Sequence, residues 1–196
     1  MPRPSQLAER RRELLPIVAQ AFADLGYRRA TTASLAERCG VGENILYRIW
    51  PDKKAMFIAA IGFVYESAVE IWLRVLAKAD SSRSAAARLL DHEAENLGKF
   101  GHHRIVFAGL NEADDPEIRA ALAEMYDRYQ RFVRDHVQVH RGKKGKAAAD
   151  EAAVLAWAII GLGTVTSITR ELGILSDGDR RRVMSAVGRL LLDGTI

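Results

Sequence analysis

A stretch of 23 residues, TTASLAERCGVGENILYRIWPDK at 31–53, constrains the fold more than any other part of this chain. Thr31 and Thr32 can cap a helix start, because a hydroxyl accepts from backbone N–H groups that the first turn leaves without partners. Leu35, Ala36 and Cys39 give that helix a narrow apolar face. Gly40 then falls just past its end, where left-handed backbone is needed and glycine adopts it at little cost. Val41 fills the turn, and a second helix over Glu43 to Ile49 directs Leu46 and Ile49 inward with Trp50. Two helices joined this tightly predict a helix-turn-helix, a shape that lays its second helix in the major groove of DNA.

The residues left outward suit that use. Asn44 matches an adenine edge or a phosphate, Arg48 a guanine or a phosphate, and Glu43 the amino group of cytosine. Ile45 offers apolar atoms to a thymine methyl, and the Tyr47 hydroxyl reaches for a phosphate. Lys53 opens the next helix, where an ammonium and a helix N-terminus together favour a phosphate. Thr31, Thr32, Ser34, Gly42, Glu43, Asn44, Ile45, Tyr47, Arg48 and Lys53 are therefore the candidate DNA-facing set.

Charge agrees with this placement. Residues 1–56 hold ten Lys/Arg against six Asp/Glu, whereas residues 57–196 hold nineteen of each. The net charge of +4 thus belongs to the end with the helix-turn-helix, as a DNA-binding surface requires. Arg3, Arg10, Arg11 and Arg12 form a basic arm, read either as a phosphate or minor-groove contact or as a solvated tail. The single cysteine, Cys39, excludes a disulfide framework within the chain and reads as a small buried hydrophobe.

No strand signal appears, and apolar residues recur at helical spacing nearly throughout. The first helix places Leu14, Ile17, Val18, Ala21, Phe22 and Leu25 on one face, with a kink or late start expected at Pro16. A long fourth helix runs from about Asp52 to Ala79 with Phe57, Ile61, Val64, Ala68, Ile71 and Val75 inward, ended by Asp80-Ser81-Ser82. A fifth spans about Arg83 to Phe100, and a sixth His103 to Leu110. Asp115-Pro116-Glu117 starts the seventh, where Ile118, Leu122, Met125, Tyr129 and Phe132 form a stripe. Arg141 to Lys146 reads as a solvated basic loop, Ala149 to Leu172 as the eighth helix, and Ser176 or Asp177 as the cap of a ninth. The fold class is all-α with about nine helices: a helix-turn-helix domain at 1–51, then a helical effector-binding and dimerisation domain at 52–196.

RRRELLPIVAQAFADLGYRRATTASLAERCGVGENILYRIWPDKKAMF resembles the N-terminal domain of the TetR family of bacterial transcription regulators. The resemblance covers about residues 10 to 60 and rests on Phe22, Gly26-Tyr27, the Thr-Thr, Leu-Ala, Gly-Val and Leu-Tyr pairs, and Lys-x-x-Met-Phe. It departs at Gly42, where the family often has a capping Ser, at Ile45, where a small residue is frequent, and at Pro16. The family implies a repressor of a palindromic operator, released by a small effector, with C-terminal domains that diverge with their ligands.

Two further expectations concern residues 52–196. Ala153, Ala156, Gly161 and Gly163 in the eighth helix allow close backbone approach, and Val183, Met184, Val187, Leu190 and Leu191 give the ninth an apolar stripe. Two such helices per subunit predict a four-helix homodimer interface, spacing the recognition helices for one DNA turn of about 34 Å. Trp72, Phe100, His103, Phe107, Tyr126, Tyr129 and Trp157 either form plain core or line a cavity; the resemblance favours a cavity for an apolar or aromatic effector.

Other classes fit less well. His136 and His140 are spaced i, i+4 without an HExxH pattern, the carboxylates near His92 spread around a helix surface, and no phosphate loop, triad spacing or metal motif is present. Neither catalysis, a metal nor a cofactor is expected. A dimeric small-molecule binder without DNA function would not need Tyr47, Lys53 and the basic end. The uncharged stretch Ala152 to Thr169 reaches the lower limit of a membrane span but carries glycines and hydroxyls, so a buried helix and a cytoplasmic location are expected.

Overall fold

The structure, a computed structural model, describes residues 4–78, 82–96, 98, 101–142 and 145–194. Arg3, Ala79, Asp80, Ser81, Phe100 and residues 143–144 of the basic loop lie outside the described residues. Among the described residues there are nine helices and no strand: α1 (Pro4–Arg29), α2 (Thr32–Cys39), α3 (Glu43–Ile49), α4 (Lys53–Ala77), α5 (Ala85–Asn96), α6 (His103–Leu110), α7 (Pro116–Arg141), α8 (Lys146–Glu171) and α9 (Asp177–Asp193). They form two compact units, with the division falling inside α4 and inside α7.

The first unit takes the described residues up to Ser67 together with Gly101–Met125. Here α1 packs on α2, α3 and α6, and α2 on α3. Val18, Ala19, Ala21 and Phe22 of α1 are fully buried, and Phe22 meets Phe57 edge-on at 4.9 Å between ring centres. Tyr27 completes the cluster at 4.8 Å from Phe57. Each large side chain sealed this way stabilises the fold by about 1.5–3 kcal/mol. Ile17, expected inward, is 39% exposed.

Pro16 does not break α1. The backbone stays helical through it and leaves helical geometry at Gly26 (φ 73, ψ 165). Pro16 and Arg12 are both exposed, so the carbonyl that loses its N–H partner faces water. Only glycine adopts the Gly26 conformation without strain, and this is where α1 turns toward α2.

The second unit comprises the described residues of Ala68–Phe100 and Tyr126–Ile196. There α9 packs on α5 and α8. Ala86, Leu90, Val137, Ala152, Met184 and Leu192 form its core. Gly188 is buried, and a methyl built on it would collide with both terminal carbons of Leu90. Overpacking a tight contact costs about 1–3 kcal/mol. Gly188→Val is expected to lower the thermal midpoint of the protein, whereas Gly178→Ala, which meets only Ser176 Oγ at 3.8 Å, is expected to leave it nearly unchanged. Differential scanning fluorimetry on the two variants checks this.

Several expected boundaries shift. The fifth helix stops at Asn96, not Phe100, because Gly98 takes φ 76 and the Asn96 side chain donates to His92 O at 2.9 Å. Arg141 is no solvated loop residue: it ends α7 and its guanidinium donates to Leu191 O (2.9 Å) and Leu192 O (3.1 Å), closing the last turn of α9. The eighth helix starts earlier than expected, at Lys146. Ser176 caps α9 by accepting from Asp179 N at 3.1 Å, and Asp115 caps α7 by accepting from Glu117 N at 2.9 Å and Ile118 N at 3.2 Å.

By length and composition, both α4 and α8 could cross a membrane. Each nonetheless carries protein on one side: Met56, Phe57, Ala60 and Ile61 of α4 are sealed in the first unit, and Ala152 and Ala156 of α8 in the second. The inner stripe of α4 continues to Trp72, leaving Ile71 and Val75 half-buried.

Candidate nucleic-acid interface

Local chemistry builds the helix-turn-helix much as the sequence implies. Thr31 Oγ1 accepts from Ser34 N at 3.1 Å, and Ser34 Oγ accepts from Thr31 N at 3.0 Å. This reciprocal capping box fixes the start of α2. Gly40 takes φ 63 and donates to Ala36 O and Glu37 O, ending α2 in a left-handed turn. Leu35, Leu46 and Trp50 hold α2 and α3 on the core with 2% exposure or less. Gly42 begins α3 without a side-chain cap; Asn44 Oδ1 lies 2.6 Å from where a Cβ at 42 would be, so a larger residue at 42 must push Asn44 aside.

The outer surface of α3 differs from the expectation at Ile45 and at Tyr47. Ile45 is half-buried and not fully outward. Tyr47 is 50% exposed, but its hydroxyl donates to Thr32 Oγ1 at 3.1 Å, tying α3 to the first turn of α2. Thr31, Thr32 and Ser34 therefore spend their hydroxyls on the motif itself. Glu43, Asn44 and Arg48 are left as the exposed polar end of α3.

Lys53 departs furthest. Its ammonium turns inward and donates to Tyr27 O and Ala30 O, both at 3.0 Å, and lies 4.4 Å from the centre of the Tyr27 ring. The α4 N-terminus is capped by Asp52, whose Oδ1 accepts from Ala55 N at 2.7 Å. A carboxylate already occupies the place that the sequence suggested for a phosphate. Lys53 is thus a clamp on the α1–α2 junction, a role that its position at a helix start does not reveal.

Other basic groups of this unit divide into paired and open. Arg38 pairs with Asp24, Arg10 with Glu13, Arg28 with Glu112, and Lys54 with Asp115 and Glu117. Asp24 keeps its carboxyl below the usual range: burial raises it, but Arg38 and Gln20 more than offset that. Among the described residues Arg11, Arg12, Arg29 and Arg48 enter no ion pair; Arg11 lies 5.8 Å over the Trp50 ring, at the exit of α3. Cys39 is half-buried, and burial pushes its thiol up, which matches a packing role.

The candidate effector residues separate into groups. Trp72 and Tyr129 meet edge-on at 5.6 Å in the second unit. Tyr126 and Trp157 lie 6.4 Å apart there, but Trp157 is 51% exposed on α8 and does not face the interior. His103 and Phe107 pair at 5.9 Å in the first unit. Phe100 is outside the described residues. Sequence reasoning missed Phe132 and His136, which continue the ring contacts from Trp72 at 4.9 and 4.3 Å, and Glu93, which accepts from Trp72 Nε1 at 2.6 Å. Glu93 is half-buried, and burial raises its carboxyl above the usual range. His136 and His140 have separate partners: Phe132 O at 2.8 Å for the first, Ser84 and Asp193 for the second.

A second exposed surface lies on α8 and α9. Val154, Trp157, Val165, Ile168 and Leu172 line one side of α8, and Val183, Val187 and Leu190 one side of α9. Ala156 and Met184, expected on this face, are sealed inside instead.

Residues 19–60 match the family model described as bacterial regulatory proteins, tetR family. The nucleoid occlusion factor SlmA of Pasteurella multocida is 27% identical over 164 residues, covering 80% of this chain and 79% of that protein. A TetR-family transcriptional regulator from Cytophaga hutchinsonii has the same fold at a TM-score of 0.75, with 15% identity and 98% of each chain covered. AibR, solved with isovaleryl coenzyme A and operator DNA, superposes at a TM-score of 0.63 with 18% identity over 91% of this chain and 97% of its own. The helix-turn-helix thus lies inside the segment that matches the tetR-family model, and the helices follow the fold of solved members of that family.

Proposed function

We propose that this protein is a homodimeric repressor of a palindromic operator, released when a small molecule binds its helical C-terminal part, residues 52–196. The observation that carries the reading is the exposed end of α3, where Glu43, Asn44 and Arg48 project from a capped and tightly packed helix-turn-helix on the basic end of the chain. Asn44 and Arg48 read base edges, and Tyr47, with the open arginines Arg11, Arg12 and Arg29, holds the phosphates.

Pairing through α8 and α9 is favoured by their exposed apolar face, whose α8 members recur at 154, 157, 165, 168 and 172, a helical stripe. A continuous exposed apolar stripe is the kind of surface that marks a protein–protein contact. Two-fold pairing there gives the assembly two copies of α3. AibR, which shares this fold, has been solved in complex with isovaleryl coenzyme A and operator DNA, so the fold accommodates both kinds of partner. The binding energies of effector and DNA are then linked reciprocally. Regulation by binding, without catalysis, in the cytoplasm completes the reading.

The test is anisotropy of labelled duplex from upstream of the protein's own gene, with and without a library of small molecules. A ligand that binds tightly and weakens the protein–DNA complex agrees; tight binding with unchanged DNA affinity counts against release. The likeness to nucleoid occlusion factors favours a second reading, in which the bound sites serve chromosome organisation. Genome-wide occupancy separates the two: a few promoter sites for a repressor, many dispersed sites for the alternative.

A further inference from the structure

We infer that Ser84 is a nucleophilic serine, a covalent acceptor for activated acyl groups, with the His140 imidazole as its base and Asp193 as the positioning residue for that ring. The site lies wholly in the second unit and is independent of how α3 meets DNA.

Three helices of this unit bring the groups together. Ser84 immediately precedes α5, His140 lies in the last turn of α7, and Asp193 ends α9. Ser84 Oγ lies 2.5 Å from His140 Nδ1, and His140 Nε2 lies 3.0 Å from Asp193 Oδ1. The partners stand 56 and 53 residues apart along the chain, so no spacing in the sequence announces them. An ionised carboxylate only accepts, so the proton between His140 and Asp193 sits on Nε2. In the neutral ring Nδ1 then carries the lone pair, and the Ser84 hydroxyl donates to it. This is the relay that activates a serine for acyl transfer, with the two ring nitrogens exchanged.

Other hydroxyls show what a purely structural serine does. Ser176 also caps a helix, but its hydroxyl donates to the Asp179 carboxylate at 2.7 Å, not to an imidazole. Ser67 Oγ approaches His102 Nδ1, but at 3.4 Å, and its hydroxyl donates to Val64 O at 3.1 Å. Ser84 caps α5 by accepting from Ala87 N at 3.1 Å, which uses a lone pair and leaves the proton for His140. Ser84 and His140 are half-buried and Asp193 is exposed, so all three keep accessible surface.

The step balances without a further reactant. Ser84 Oγ attacks the carbonyl carbon of an activated ester or thioester while its proton passes to His140 Nδ1. The bond from Oγ to carbon forms, the bond from carbon to the leaving group breaks, and the leaving group departs with the proton from Nδ1. Asp193 stabilises the imidazolium in between. Charge on the carbonyl oxygen develops at the start of α5, where first-turn N–H groups have no acceptor within the helix. The acylated serine has no hydroxyl proton left for His140, so loading also unties α5 from α7.

Treatment of the full chain with a biotinylated fluorophosphonate, whose fluoride an activated serine oxygen displaces, tests this when followed by peptide mapping. Ser84 is expected to be labelled at least about tenfold faster than Ser176 or Ser67, because a positioned base contributes about 10²–10⁴-fold. His140→Gln and Asp193→Asn are each expected to slow that labelling at least about tenfold while melting as folded proteins. In acid-quenched samples p-nitrophenyl acetate is expected to leave an acetyl ester on Ser84 of the wild type. A wild type whose Ser84 is labelled no faster than Ser176 would overturn the inference and leave the three residues as a tether between helices. So would either folded variant labelled at the wild-type rate, or a Ser84 that takes the phosphonyl group but never an acetyl group. If a variant fails to fold, the comparison of Ser84 with Ser176 in the wild type decides by itself.

Discussion

Val187→Glu/Leu190→Glu is expected to convert the protein to monomers and to abolish tight operator binding. Both side chains are substantially exposed on α9, at 38% and 51%, so neither contributes to the core that Met184, Gly188 and Leu192 form on the opposite side. In an isologous two-fold interface both subunits bring the same patch, so four like charges enter one apolar interface. Losing the second DNA-reading head costs about 10²–10⁴-fold in affinity, because the second binding event is no longer intramolecular. Sedimentation velocity reads the assembly state and anisotropy the affinity. A double variant that stays dimeric and binds operator normally would move the interface away from this face.

Lys53→Met is expected to destabilise the fold and not simply to remove a phosphate contact. The substitution leaves Tyr27 O and Ala30 O without their donor, and Ala30 is fully buried. Leaving such acceptors unsatisfied costs about 1–3 kcal/mol each, and the contact with the Tyr27 ring goes as well. A loss of about 3 kcal/mol corresponds to a midpoint lowered by roughly 6–12 °C in a chain of this size. If Lys53 worked only on DNA, its loss would leave the midpoint alone and merely flatten the salt dependence of binding. The two outcomes are read from one melting curve and one salt titration.

The contrast at Lys53 shows where sequence reading succeeds and fails. The cap at Thr31, the turn at Gly40 and the start at Asp115-Pro116 are local, each deciding its geometry within four residues. Those features were legible. Lys53 donates to carbonyls 23 and 26 residues away, and Glu93 meets an indole 21 residues away, so neither role leaves a spacing that can be read along the chain. The same holds for Arg141, whose partners at Leu191 and Leu192 lie on another helix. Pro16 failed as a signal for a different reason: the cost of a proline depends on whether the carbonyl it strands is buried, and here it faces water. Gly98 was a readable stop for α5 that the stronger helical pattern around it masked.

Apolar stripes were legible as helical faces, but not which side faced protein. In α9, Met184 and Val187 belong to one run in the sequence, and only the packing on α5 and α8 sends the first inside and leaves the second out. In α8, Ala156 and Trp157 divide the same way.

The most direct test of the account compares the wild type with Asn44→Ala/Arg48→Ala in anisotropy titrations against an operator selected from random duplex DNA, at several salt concentrations. Both side chains are exposed and the double variant should melt like the wild type. Its operator affinity is expected to fall by at least about 100-fold in a dimer, with sequence preference relaxed. A double variant that folds normally and still binds the selected operator with full affinity would contradict the claim that α3 is the element that reads DNA.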